Sequence, residues 1–342
     1  MMSSPGSLRV CSRCVLPEAF PGITFSEDGV CNYCRSPASE ENGAFGREYE
    51  NQFLQIIDSI KSKNRYDCLL AFSGGKDSTY TLYLLKEKYG LNVLTYTFDN
   101  GFISEGARKN IKNITERLNV DNIVFSPRID LLKKLFASAA LNDQIYSRAA
   151  IMRASAICTT CINFIRYNSL KLAVEKRIPM LVFGWAPGQI ERRGIILKPL
   201  PSFLAKSQEV FINANKTHLE GFQENYFLEA REFEENAPAI PYLINPLLFN
   251  EYRMEKVRAL IEDLGWENPE NTDLNSTNCL LNAFGNYVHL KKYGYNPYVQ
   301  EISGLIRSGV ITRDEGLARL EGSLDQKVID ECKRKLGLEH IV

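Results

Sequence analysis

The stretch YDCLLAFSGGKDSTYTLYLLKEKYG, residues 66–90, decides the fold. Residues 66–72 form a short apolar run, the pattern of a strand buried on both faces of a parallel sheet. Residues 78–90 carry helix-forming residues and stop at Gly90, so a helix is expected there. Between them lies Ser73-Gly74-Gly75-Lys76-Asp77-Ser78. Glycines let backbone N–H groups approach an anion, and a following helix adds unpaired donors and the positive end of its dipole. Lys76 adds charge, and the Ser73 and Ser78 hydroxyls add donors. The spacing is neither G-x-x-x-x-G-K-[ST] nor G-x-G-x-x-G.

Outward from this loop, strand and helix patterns alternate. Residues 45–63 place Phe53, Ile56, Ile57 and Ile60 at helical spacing. LNVLTYTFDNG (91–101) reads as a second strand, 104–118 as a helix, NIVFSP (122–127) as a third strand and 129–176 as mostly helix. IPMLVFGWAPGQ (178–189) reads as a fourth strand running into a loop. Such alternation predicts an α/β fold, a doubly wound parallel sheet. Residues 203–236 read as helix or a substrate-covering insertion. PAIPYLINPL (238–247) reads as extended segments and turns, and the remainder as helical. The expected organisation is a zinc ribbon over 1–44, an ATP-binding α/β domain over 45–200 and a substrate-covering, helical C-terminal region over 201–342.

In doubly wound sheets, nucleotides sit at the carboxyl ends of the strands. That places Asp99, Gly184 and Gln189 as candidate nucleotide-binding residues, although Asp99-Asn100-Gly101 is equally read as an ordinary turn.

The chain has nine cysteines, six of them in three C-x-x-C pairs. Cys11, Cys14, Cys31 and Cys34 fit a tetrahedral Cys₄ zinc site that folds a segment too short to fold alone. Cys158 and Cys161 lie in SAICTTCINF, and Cys279 in DLNSTNCLLN. Two thiols on one helical turn plus a distant third can hold three irons of a [4Fe–4S] cluster and leave the fourth open. Alternatives are a sulfur-carrying cysteine with a resolving partner, a further zinc site, or simple packing. Cys68 is expected in the core and Cys332 on an exposed helix.

The 342-residue chain balances 41 Lys+Arg against 41 Asp+Glu, which argues against a general binder of nucleic acid. A small-molecule substrate is expected, with Arg192 and Arg193 as candidates to meet its anionic group. The sequence holds no apolar run of about 18 residues and starts without a secretory block, so no membrane partner is expected and the location is read as cytoplasmic.

SGGKDS resembles the signature of the PP-loop ATP pyrophosphatase superfamily, and the likeness extends over about residues 66–190. It implies that residues 73–78 grip the pyrophosphate part of ATP and that Asp77 helps hold Mg²⁺ or orients the attacking group. It also implies adenylation of a substrate oxygen, release of pyrophosphate and displacement of AMP by a nucleophile. CSRCVLPEAFPGITFSEDGVCNYC (11–34) and YVHLKKYGYNPYVQEISGLIRSGVITRDEGLARLEG (287–322) resemble the N-acetyl sugar amidotransferases of surface-polysaccharide biosynthesis. Those enzymes take ammonia from a partner glutaminase and form an acetamidino group. The central cysteines resemble instead the iron–sulfur PP-loop enzymes that thiolate transfer RNA. The cysteines favour sulfur from a sulfur donor as nucleophile, which is the reading adopted at this level. The wider likeness favours ammonia, and transfer-RNA thiolation is a further alternative. A homodimer is an expectation from the superfamily likeness.

Overall fold

A computed structural model describes residues 9–36, 44–61, 64–190, 194–273, 275–321 and 324–340. Arg192 and Arg193 lie outside the described residues.

The chain enters through the four-cysteine segment and continues as helix α1 (Ala44–Ile60), whose buried Phe53, Ile56, Ile57 and Ile60 fulfil the expected spacing. Strand β1 (Cys68–Ala71) is buried over its first three residues, as befits an inner parallel strand. It leads through residues 73–75 into α2 (Lys76–Tyr83), which continues as a π-helical turn over Leu84–Lys88. Next come β2 (Val93–Phe98), α3 (Glu105–Arg117), β3 (Asp121–Phe125) and α4 (Ile129–Leu141). Ser104 caps α3 by accepting from the Ala107 N–H. Helix α5 (Ala156–Glu175) begins at a Ser155 cap and returns the chain to β4 (Met180–Val182).

Two further strands lie beyond β4. β5 (Ile196–Leu197) is short, and after α6 (Pro201–Ala214) comes β6 (Tyr242–Ile244). The extended reading of 238–247 thus holds a strand, which pairs parallel to β4 and antiparallel to β5. The sheet has six strands in the order β3-β2-β1-β4-β6-β5. β1 pairs parallel with β2 on one side and β4 on the other. The winding therefore reverses between β1 and β4, which opens a crevice at their carboxyl ends.

Beyond short helical turns, the later helices are α7 (Met254–Asp263), α8 (Leu281–Tyr293), α9 (Val299–Arg307), α10 (Arg313–Glu321) and α11 (Gln326–Leu336). One face of the sheet packs on α4, α5, α8 and α11, with Phe136, Phe164, Leu170 and Phe284 in that core. The other packs on α1, α2, α3 and α7, around Phe53, Phe72, Leu85 and Trp266. Cys68 is in the core, as expected. Cys332 corrects the expectation of an exposed helix: it is 2% exposed, because α11 turns its Val328, Ile329, Cys332 and Leu336 stripe inward. Among the described residues, no helix is long and apolar enough to cross a membrane.

Candidate functional site

The 73–78 turn is shaped by close packing. Gly74 has φ +72°, and a Cβ there would stand 2.5 Å from the Ala107 carbonyl oxygen. Only glycine fits both constraints. Gly74 does not line the crevice; its carbonyl accepts from Trp266 Nε1 at 3.0 Å. Ser73, Gly75, Lys76, Asp77 and Ser78 do line it. The Ser73 and Ser78 hydroxyls lie 3.1 Å apart. Lys76 Nζ pairs with Asp77 Oδ2 at 2.7 Å, and the Tyr252 hydroxyl donates to Asp77 Oδ1. The Lys76 backbone N–H donates to Thr277 Oγ1 at 3.0 Å. A segment 201 residues away thus meets the first turn of α2.

Opposite this loop, the residues after β4 complete the cavity, whose volume is about 660 Å³. Gly184 is required where that loop crosses α2, since a Cβ would lie 2.9 Å from Thr81 Oγ1. Gln189 lines the cavity, with its Oε1 accepting from the Ala186 N–H at 2.9 Å. Its Nε2 donates to the two carboxylate oxygens of Glu301 at 3.3 and 3.2 Å.

Asp99 is placed otherwise than expected: it does not line the cavity. Its carboxylate faces Arg108, with Nη1 and Nη2 both at 2.9 Å, and accepts from the Gly101 N–H at 3.0 Å. The neighbour Asn100 points inward instead.

Cys158, Cys161 and Cys279 all line the same cavity as the 73–78 loop. Cys158 and Cys161 sit on the first turns of α5, where Ser155 Oγ accepts from the Cys158 N–H at 3.2 Å. Cys279 is delivered by a short antiparallel contact: Ile103 bridges Cys279, Ser104 N donates to Asn278 O at 3.0 Å, and Leu280 N to Phe102 O at 2.9 Å. Asn100 Nδ2 lies 3.5 Å from both Cys161 Sγ and Cys279 Sγ. Asp273 organises this segment, its Oδ1 accepting from the Asn275 and Ser276 N–H groups, each at 2.7 Å, and its Oδ2 from Asn282. Burial pushes the Cys158 thiol up to about 12 and raises those of Cys161 and Cys279 as well. Without a cation these thiols stay protonated, whereas a bound soft metal would deprotonate them. Three thiolates are the donor type that soft metals and iron–sulfur clusters use, but among the described residues only the N-terminal cysteines bring their ligand atoms within 4.8 Å of one another.

Cys11, Cys14, Cys31 and Cys34 converge elsewhere, buried, with their sulfurs all within 4.8 Å of one another. Cys11 and Cys34 sulfurs are 3.9 Å apart, and those of Cys14 and Cys31 are 3.8 Å apart. A tetrahedral site with metal–sulfur bonds of about 2.3 Å spaces its sulfurs by about 3.8 Å. The Cys14 and Cys31 N–H groups donate to Cys11 Sγ at 3.4 and 3.3 Å. The knuckle packs on Tyr295 and Val299, and Arg313 donates to the Cys14 and Cys11 carbonyls. It therefore braces the helices that carry Glu301.

Sequence reasoning missed Asn100, Tyr252, Thr277 and Glu301. Asn100 and Thr277 adjoin residues already singled out. Tyr252 and Glu301 stand in ordinary helical or turn contexts and carry no local signal.

The queuosine biosynthesis protein QueC family model matches residues 67–175. The family model of the C-terminal domain of WbpG-like lipopolysaccharide biosynthesis proteins matches residues 251–341. An uncharacterized protein of Methanocaldococcus jannaschii is 26% identical over 287 residues, covering 83% of each chain. A glutamine-hydrolysing GMP synthase of Pyrobaculum aerophilum is 29% identical over 87 residues, which is 25% of this chain and 17% of that protein. Solved structures with likeness include the U34-tRNA thiolase NcsA of Methanococcus maripaludis with its [4Fe–4S] cluster, at 16% identity and TM-score 0.36. That alignment covers 100% of this chain and 90% of NcsA. The NH₃-dependent NAD synthetase of Campylobacter jejuni aligns at 14% identity and TM-score 0.36, over 86% of this chain and 94% of its own. With SGGKDS at the carboxyl end of β1, a cavity at the point where the winding reverses and the match over 67–175, the α/β part of the chain is similar to the PP-loop ATP pyrophosphatases.

Proposed function

We propose that this enzyme adenylates the amide oxygen of an acetamido group on a nucleotide sugar and replaces that oxygen with nitrogen, serving surface-polysaccharide biosynthesis. One observation carries the reading. The region matching the lipopolysaccharide biosynthesis family, 251–341, supplies Thr277, Cys279 and Glu301 to the PP-loop cavity and Tyr252 to the Asp77 carboxylate beside it. The nucleotide loop and the family-specific region thus meet on one substrate space.

An amide oxygen is a poor leaving group. With the ATP phosphates on residues 73–78, the amide oxygen attacks the α-phosphorus and pyrophosphate leaves. Lys76, freed from Asp77, balances charge on the phosphates. Asp77 is suited to hold Mg²⁺, which would neutralise phosphate charge when bound. Attack by ammonia at the activated carbon then expels AMP. A partner glutaminase is proposed as the ammonia source, and the four-thiol knuckle is assigned to structural Zn²⁺.

A second reading is favoured by a specific observation: three cysteines face the cavity, two of them sharing Asn100. Here sulfur replaces the oxygen, on a nucleobase, nucleotide or transfer RNA. Cys158, Cys161 and Cys279 would hold a [4Fe–4S] cluster, whose open iron supplies a place for sulfur.

The test supplies ATP, a panel of UDP-linked acetamido sugars, nucleobases, nucleotides and unmodified transfer RNA, and ammonium chloride or sulfide. Pyrophosphate, AMP and product mass are followed. An amidine with ammonium supports the first reading. A thioamide dependent on iron-loaded protein replaces it with the second. Neither product, and no pyrophosphate, overturns both.

A further inference from the structure

We infer that Glu301 is the proton acceptor for the incoming nucleophile, a role that rests on the adenylation reading above. Glu301 stands on the first turn of α9 and is one of two acidic side chains, with Asp77, among the described residues that line the cavity. Asp77 is already engaged by Lys76 and Tyr252. Glu301 makes no ion pair among the described residues; its carboxylate is held by Gln189 Nε2 alone, at 3.3 and 3.2 Å.

That hold is built into the fold. Gln189 is fixed in turn by the Ala186 N–H. Gly188, at φ +90°, lets its loop close on α9, since a Cβ there would lie 3.1 Å from Glu301 O and 3.3 Å from its Cγ. The carboxylate is thereby held at the loop that follows β4, in the same cavity that residues 73–78 line. A residue reaching the reacting atoms from a rigid helix is suited to proton transfer.

The other titratable groups in the cavity do not fit the task. The thiols of Cys158, Cys161 and Cys279 and the Tyr298 hydroxyl are raised by burial. Lys76 is engaged by Asp77. Burial pushes the Glu301 carboxyl up to about 7; Lys76, Gln189 and Arg319 oppose that rise and Asp77 adds to it. The hydroxyls of Tyr252 and Tyr298 also face it. A carboxyl in that range is poised for proton transfer near neutral pH.

The ammonia lone pair attacks the adenylated carbon and forms the C–N bond as the C=N π pair of the O-adenylated amide moves to its nitrogen. One proton of the resulting C–NH₃⁺ passes to the Glu301 carboxylate. The C–O bond breaks, AMP leaves with the electron pair, and the amidine remains. No oxidant or reductant is involved.

The experiment compares wild type, Glu301→Gln and Glu301→Asp with ATP, the UDP-linked acetamido sugars and ammonium chloride, at constant free ammonia across pH. Pyrophosphate in the first turnover is recorded separately from amidine in steady state. In Glu301→Gln, kcat is expected to fall about 100-fold or more. Its KM for ATP should stay within about twofold, because the lost interaction acts after adenylation. First-turnover pyrophosphate is retained. The wild-type rate rises with pH through about 7, where Glu301 deprotonates. That limb disappears in Glu301→Gln, and Glu301→Asp recovers part of the rate. A Glu301→Gln enzyme that keeps its kcat and acid limb overturns the inference. So does one that loses the first-turnover pyrophosphate along with the product, which would mark a role in ATP binding or folding. Absence of pyrophosphate from wild type with every acceptor instead overturns the adenylation reading, and the proton-acceptor role falls with it.

Discussion

The two groups of cysteines share the C-x-x-C spacing yet are built for different work. In the N-terminal group all four thiols are buried, from 0% to 6% exposed, and opposed sulfurs stand 3.8 and 3.9 Å apart. Protein closes the shell completely, so a metal there has no place for a substrate. In the central group the thiols line the cavity beside the 73–78 loop, and Cys161 and Cys279 both lie 3.5 Å from the Asn100 amide nitrogen. C-x-x-C therefore signals affinity for a soft metal, and closure of the shell separates a folding role from a chemical one.

Breaking the closed group is expected to have the largest effect. If the knuckle holds the structural zinc proposed above, Cys14→Ala removes one of its four ligands, and a loss of several kcal/mol is expected. Thermal melting with zinc analysis measures it. Because Arg313 and Tyr295 lean on the knuckle, activity should fall with it. An unchanged melt in Cys14→Ala would break the comparison. Cys279→Ala should give the opposite signature: about 1 kcal/mol or less in stability, with formation of the sulfur product of the second reading down about 100-fold and amidine formation spared. A large melting loss there, with chemistry spared, would show the central thiols to be packing only. Asn100→Ala sharpens the contrast at smaller scale. Removing its N–H donor should weaken metal at the central site about 10-fold and leave the knuckle's metal untouched. Competition with a chromogenic chelator reads both sites.

Much of this was legible in the sequence for physical reasons. The buried strand before SGGKDS, the glycine turn and the helix after it are local patterns, and they fix the loop at a sheet edge. The pairs of cysteines announce themselves by spacing. What escaped was contact across long chain distances. Thr277 meets Lys76 over 201 residues, and Tyr252 meets Asp77 over 175. Glu301 is distinguished only by which loop α9 packs on. Strand β6 was obscured because Pro241 and Pro246 flank a run of only three paired residues. Cys332 was misplaced because its neighbours Lys333, Arg334 and Lys335 read as solvated, although the inward stripe runs Val328, Ile329, Cys332, Leu336.

Asp99 gives the smallest and most discriminating prediction. Its position at the end of β2 fits a nucleotide contact, and nothing nearby in sequence says otherwise. Arg108, one helix entry later on α3, claims the carboxylate with two bonds of 2.9 Å. Burial pushes this carboxyl up, but the Arg108 guanidinium and the Gly101 N–H outweigh it and hold the carboxyl below the usual range. A carboxyl so depressed stabilises the fold above its unfolded pKa, and the contribution fades as pH falls through the folded value. Arg108 is 47% exposed along its side chain, so solvent screens the pair. Asp99→Ala should therefore cost no more than about 1 kcal/mol at neutral pH. The cost should shrink in acid. ATP affinity, measured by calorimetry, should be unchanged, because the carboxylate does not line the cavity. A fall in ATP affinity would mean that Asp99 leaves Arg108 when nucleotide binds. The carboxyl end of β2 would then have to be counted with the loop at the end of β1.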